Sequence, residues 1–435
     1  MKANTVSFLS ILSAASLLCC SSLQAEEPNC SQPKGSLARP NDPIGLPDHT
    51  NPIEHTIVFM MENHSFDNVF GKLNKPEFYG NEVDGITADL YNPAADGTPV
   101  VPFHLTNHCI KSMNHGWDGS HEAYNLGKND QFVISNTSSK LNGDRAMGYY
   151  DERDYPLMYA LANQFSVGDR YFASVMGATQ PNRRYAYAGT SAGQTSNTNS
   201  DLFHGGWSEP TIFESLTQAG VSWTFYISDV SIIQFYEKFY LKNIKHFKPA
   251  KLFDYHAKHN KLAQVVFVEN SSIFGEEHPP FVFDINQRQL ATRLKALSKS
   301  ASWKNSAVFL SYDEGDGGYD HVAPPKACAP DEILPNVENK QEGFERLGFR
   351  VPALVISPYA KRHFVSHTTY DHTSILRFIE DKYNIPALSR RDANANSMAD
   401  MFDFEHPDFT PPKYPNIPLK AKTLWNCLFH QSTYR

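Results

Sequence analysis

Hydrophobic residues fall along this chain in short unbroken runs, separated by longer stretches of mixed polarity. The runs are Ile57–Met61, Val221–Ile227, Gln264–Val268, Ala307–Tyr312 and Val351–Ser357, with Ser166–Phe172 a less apolar sixth. Apolar runs of this length without helical spacing read as strands buried on both faces, the pattern of a parallel α/β sheet. Helical periodicity occupies Pro156–Phe165, Asn182–Ala188, residues 286–299 and the segment carrying Ile375, Phe378 and Ile379. The expected fold is therefore α/β, a largely parallel sheet flanked by helices, in one domain spanning 26–435. The Lys-, Phe- and Tyr-rich stretch 228–262 reads as a cap insertion. Residues 26–52 read as an extended leader, and 390–435 as a Pro-rich, largely irregular tail.

Two of these strands end in the same way. Ile57–Met61 runs into Glu62 and Asn63, and Ala307–Tyr312 runs into Asp313 and Glu314 before the Gly-rich GDGGYDHVAPP. Ligands of open α/β sheets bind beyond the carboxyl ends of the strands. Four oxygen donors gathered there by neighbouring strands suit a divalent cation. As single strand ends, each pair could equally begin a solvated loop; the repetition of the pattern favours the site.

Other polar groups gain meaning beside that one. Thr179 precedes Pro181 and a helix-compatible segment, so it stands at or just before a helix N-terminus, where free N–H groups and the helix dipole favour phosphate. A hydroxyl there is either a cap or a nucleophile. His108, His115 and His121 crowd into fourteen residues beside Trp117 and Asp118. Asp371 and His372 just precede a helix; there Asp371 is a cap or a pocket residue, and His372 a core, supporting or pocket residue.

Composition narrows the class. Of 435 residues, 41% are hydrophobic and 20% charged, which is ordinary for a globular protein. Residues 1–25 carry Lys2, an apolar core over Val6–Leu18 and small residues before Glu26, the form of an export signal. Removing Lys2 takes the net charge from −8 to −9, which disfavours nucleic acid as a partner. No other stretch is apolar over the length of a membrane span, so no anchor is expected after signal removal. Cys30, Cys109, Cys328 and Cys427 permit two disulfides in an exported chain, with three connectivities open.

Taken together, the segments MMENHSFDNVFG, NHGWDGSHEAYNLGKNDQF, ATQPNR, EEHPP, YDEGDGGYDHVAPP and GFRVPALVISPYAKRHFVSHTTYDHTSILRFIE carry a resemblance. They resemble, in order over roughly 53–405, the bacterial phosphoesterase family that contains the non-haemolytic and haemolytic phospholipases C and the Francisella-type acid phosphatase. The resemblance implies an alkaline-phosphatase-like core with a single bound metal; the oxygen donors admit calcium, magnesium, manganese or zinc, and zinc is the choice because it suits hydrolysis at a strongly polarising site. It implies Glu62, Asn63, Asp313 and Glu314 as metal ligands, Thr179 as nucleophile, and His115 and His278 as the histidines at the phosphoryl group. Asn182, Arg183, His321, Asp371 and His372 are candidates for supporting or substrate contacts, and His204 and Asp229 for a further Asp/His contribution. The expected activity is that of a secreted or periplasmic phospholipase C acting on phospholipid at a membrane surface. A phosphomonoesterase of acid-phosphatase type on the same site is the alternative, and a non-catalytic binding protein of the same fold is an alternative of another class.

Overall fold

The computed structural model describes residues 27–198, 206–269, 277–337 and 342–419, with positions 423, 425 and 427. Residues 1–25, read from the sequence as an export signal, and His204 lie outside the described residues.

The apolar runs form one eight-stranded sheet: β1 (His55–Met61), β2 (Ser166–Gly168), β3 (Trp223–Ile227), β4 (Phe247–Pro249), β5 (Val265–Val268), β6 (Ser306–Tyr312), β7 (Ala353–Ile356) and β8 (Phe364–Ser366). Their order is β8-β2-β7-β6-β1-β5-β3-β4. Every pairing is parallel except those of β7, which runs against both β6 and β2. The expected largely parallel α/β sheet is present, with β1 and β6 side by side at its centre.

Register explains how the helices cover it. In parallel pairs, partnered residues point to the same face, and successive residues alternate. Val58 is paired with Phe309 on one side and with Phe267 on the other, so these three share a face. Phe267 meets Tyr187 of a helix, Thr179–Ala188, and Phe309 meets Phe378 of another, His372–Tyr383. Phe59 points the opposite way and meets Phe253 of the helix Lys251–Lys258, which packs on Phe283–Ser298. With both faces covered, β1 beyond His55 and all of β6 are buried. That is why both read as continuous apolar runs.

Two expectations need correction. Residues 228–262 are built into the core and do not project as a cap. They supply edge strand β4, paired with β3, and the helix Lys251–Lys258. Phe239, Phe247, Phe253 and Ala257 are buried there, and Phe239 and Phe247 pack on Trp223. The basic residues that made the stretch look like an insertion lie mostly on its solvent side, as Lys and Arg on an edge strand and helix normally do. The strand expected over Ser166–Phe172 is also shorter, because the chain leaves the ladder after Gly168. Beyond it, Tyr171 and Phe172 make only isolated bridges to Tyr370 and Arg350.

The leader and tail are fastened covalently. Cys30 pairs with Cys328 and Cys109 with Cys427, closing separations of 298 and 318 residues. A buried ion network fixes the segment before His115. His108 Nδ1 lies 2.8 Å from Asp284 and its Nε2 lies 3.0 Å from Asp154. Burial alone would lower the pKa of His108, but the two carboxylates outweigh it and push it up to about 9. A raised histidine pKa stabilises the fold fully below the unfolded value near 6.5, and that contribution fades as pH rises through about 9. Chemical denaturation from pH 6 to 10 should show the wild type losing a contribution on the order of a few kcal/mol that His108→Gln never has. Parallel pH curves for the two proteins would remove this reading.

Candidate active site

The centre of the sheet brings the acidic strand ends together. Met61 is paired with Tyr312, and the Asp313 N–H donates to the Met61 carbonyl at 3.1 Å. Glu62 and Asn63 therefore leave β1 beside Asp313 and Glu314 leaving β6. Asn63, Asp313 and Glu314 are buried, and Glu62 is only slightly exposed.

We label the helices around this centre α1 (Phe66–Phe70), α2 (Trp117–Tyr124), α3 (Thr179–Ala188) and α4 (His372–Tyr383). Thr179 is the first residue of α3. The N-cap is Ala178, so the Thr179 hydroxyl is not spent on capping. It donates instead to Glu62 Oε1 at 2.8 Å. One turn on, the buried Arg183 guanidinium fans across three strand ends. Its Nε donates to Asp313 at 2.9 Å, its Nη1 to Glu269 at 2.9 Å, and its Nη2 lies 3.4 Å from Glu62. Asn182 braces the turn into α3, accepting from Val175 N–H and donating to the Val175, Gly177 and Ala178 carbonyls. His372 donates from Nε2 to the Asp313 carbonyl at 2.8 Å and accepts from the Tyr171 hydroxyl at Nδ1. Burial lowers its pKa to about 4, so the ring is neutral.

Charge at this centre is out of balance. Glu62, Asp313, Glu314, Asp316 and Glu269 face Arg183 and His115. Burial raises the Asp313 pKa well above the carboxylate range, and Glu62 and Glu314 raise it further against the opposing pull of Arg183. Asn63 Oδ1 is buried without a hydrogen-bond partner, while its Nδ2 contacts Glu314. Buried carboxylates and an orphaned amide oxygen are costly unless a cation takes them as ligands. The donor set, all oxygen, fits a divalent metal.

The two histidines meet across this centre, with ring centroids 5.7 Å apart. His115 directs Nδ1 to the Met113 carbonyl at 2.9 Å and to Asp316 at 3.2 Å, and its Nε2 lies 3.8 Å from Glu314. Burial would lower its pKa, but Glu314 and Asp316 hold it up at about 11. His278 directs Nδ1 to the Pro279 carbonyl at 2.5 Å.

Other candidates sit elsewhere. Asp371 is the N-cap of α4, accepting from Thr373 N–H, Ser174 Oγ and Arg391, so it serves structure and does not line the site. His321 is engaged by Asp67 at 2.7 Å and Asp84 at 2.9 Å, in a network with Arg350 and Asp320 that is separate from Thr179. With both ring nitrogens taken, it is not a substrate contact. His121 packs on Trp117 and bonds its carbonyl, and Asp229 accepts the Val230 N–H. A cavity of about 660 Å³ lined by Asn74, Arg170, His363 and His367 includes none of the proposed site residues. Two residues of the site were not singled out beforehand. Glu269 follows the apolar β5 just as Glu62 follows β1, so the same pattern would have found it. Asp316 was hidden in a loop that reads as a turn.

Comparison with known proteins places the chain among relatives. Residues 53–386 match the phosphoesterase family profile. Phospholipase C B of Mycobacterium tuberculosis is 30% identical over 427 residues, covering 85% of this chain and 81% of that one. Non-specific phospholipase C1 of Arabidopsis thaliana is 30% identical, covering 85% and 75%. The non-hemolytic phospholipase C of Burkholderia pseudomallei is 29% identical, covering 84% and 61%. Solved structures are more distant in sequence. The lipoteichoic acid synthase of Listeria monocytogenes aligns at a TM-score of 0.41 and 11% identity, over 91% of this chain and 93% of that one.

Proposed function

The chain belongs to the phosphoesterase family and is a phosphoric ester hydrolase, and from that premise we propose that it is an exported phospholipase C using Thr179 as nucleophile. The observation that carries this reading is the Thr179 hydroxyl, free of capping duty and bonded to the acidic end of β1. Glu62, Asn63, Asp313 and Glu314 would hold the metal, with zinc our choice. Once bound, that cation supplies Lewis-acid stabilisation of the Thr179 alkoxide and of charge on the phosphoryl oxygens.

The remaining work falls to the chain. Glu62 Oε1 orients the Thr179 hydroxyl and holds its proton, while Arg183 keeps Glu62 and Asp313 in place. Thr179 Oγ1 attacks phosphorus, and the bond from phosphorus to the diacylglycerol oxygen breaks. Electrons leave with that oxygen, and His278 Nε2 supplies its proton. His115, cationic between Glu314 and Asp316, stabilises the equatorial oxygens in transit. Water then attacks the phosphoryl-threonine, giving its proton to the His278 Nε2 left bare by the first step; the bond from phosphorus to the Thr179 oxygen breaks, that oxygen takes its proton back from Glu62, and the phosphorylated headgroup is released. Two disulfides joining leader and tail to the core support export to an oxidising compartment.

The substrate class is tested by comparing phosphatidylcholine vesicles with p-nitrophenyl phosphate. Release of diacylglycerol with the higher kcat/KM is the expected outcome. A protein that hydrolyses the monoester and releases no diacylglycerol would be a phosphatase.

A further inference from the structure

We propose that Asp316 is a positioning residue for phosphoryl transfer, fixing the His115 ring so that its Nε2 faces the reacting group. The inference rests on the part given to His115 above and extends it to a residue with no contact to substrate.

Asp316 joins two loops that are 200 residues apart in sequence. Its backbone N–H donates to Glu314 Oε2 at 2.6 Å. Its Oδ1 accepts from Ser112 Oγ at 2.6 Å and from Met113 N–H at 3.4 Å, and lies 3.2 Å from His115 Nδ1. One residue thus touches both an acidic strand end and the ring opposite it. The two loops approach closely because Gly317 lacks a side chain, since a Cβ there would lie 2.7 Å from the Asn114 carbonyl oxygen. Asn136 stitches the same junction, accepting from Asn114 N–H at 2.7 Å and donating to the Gly317 carbonyl at 3.0 Å.

The cost of the arrangement argues for its purpose. Asp316 is fully buried and adopts φ +52°, a left-handed conformation that disfavours most side chains. Its Oδ2 is buried with no hydrogen-bond partner. A loop built only for packing would do better with glycine or asparagine here, since a buried, half-satisfied carboxylate is destabilising. Its compensation is the facing His115 ring, whose Nδ1 lies 3.2 Å from Oδ1. An aspartate on Nδ1 sets the ring's orientation and leaves Nε2 as the working atom.

The test is a double-mutant cycle on phosphatidylcholine, with Tm and metal content measured for each variant. Asparagine tolerates positive φ and can still accept from Ser112, so Asp316→Asn keeps the loop. It should lower kcat by about 10–100-fold, with KM and metal content unchanged. His115→Ala should lower kcat by at least about 100-fold. Adding Asp316→Asn to His115→Ala should then cost less than about 2-fold, because the residue acts through a ring that is gone. An undiminished loss in the His115→Ala background, or a fall in bound metal with Asp316→Asn alone, would overturn the proposal in favour of support for Glu314 or direct metal binding. A fully active His115→Ala would instead overturn the part given to His115, a separate failure.

Discussion

Thr179→Ala will retain its fold and its metal yet lose at least about ten-thousand-fold in turnover, the scale on which loss of a covalent nucleophile is felt. Stability should hardly move. Losing a genuine N-cap costs about 1 kcal/mol, but Ala178 holds that position, and Thr179 directs its hydroxyl to Glu62 at 2.8 Å. Thr179→Ser keeps a hydroxyl at the same point and should retain a good part of the activity. The comparison separates two explanations that sequence leaves standing together. A cap would show in the melting curve and not in the rate; a nucleophile shows in the rate and not in the melting curve. An alanine variant turning over near the wild-type rate, with melting unchanged, would transfer attack to water or to another hydroxyl.

Metal removal should have the second largest effect. Without a cation, buried Asp313 and Glu314 and the slightly exposed Glu62 are opposed by the Arg183 guanidinium and the His115 ring, and Asn63 Oδ1 has no partner. Dialysis against chelator should abolish hydrolysis and lower Tm, since a ligand that binds only the native state stabilises it. Added zinc should restore both. Asp313→Asn removes one carboxylate from the set and should bind metal more weakly while remaining folded, because Arg183 keeps Glu62 and Glu269 as partners. Elemental analysis alongside the rate checks both points. Full turnover by protein verified to be metal-free would sink the ligand assignment.

What could be read in advance follows physical lines. The pairing of Glu62 with Asp313 was legible because strands buried on both faces leave continuous apolar runs, and adjacent parallel strands end together. The placement of His115 was not, since its partner Asp316 lies 201 positions away and only the close approach at Gly317 brings them together. The partners of His321 were hidden for a similar reason: Asp67 and Asp84, which take its ring nitrogens, come from distant positions in the chain. The disulfide connectivity needed distances that spacing cannot supply. Residues 228–262 misled because their lysines draw the eye, while buried apolar residues such as Phe239, Phe247, Phe253 and Ala257 decide where the segment packs.

Stereochemistry at phosphorus tests the central claim most directly, because it does not require an intermediate to accumulate. A phosphatidylcholine made chiral at phosphorus with oxygen isotopes is hydrolysed in isotopically labelled water, and the configuration of the phosphocholine is read by phosphorus NMR. Attack by Thr179 followed by water is two in-line displacements, each inverting the centre, so the expected result is net retention. Net inversion would mean that water attacks in a single step, and that Thr179 is not the nucleophile.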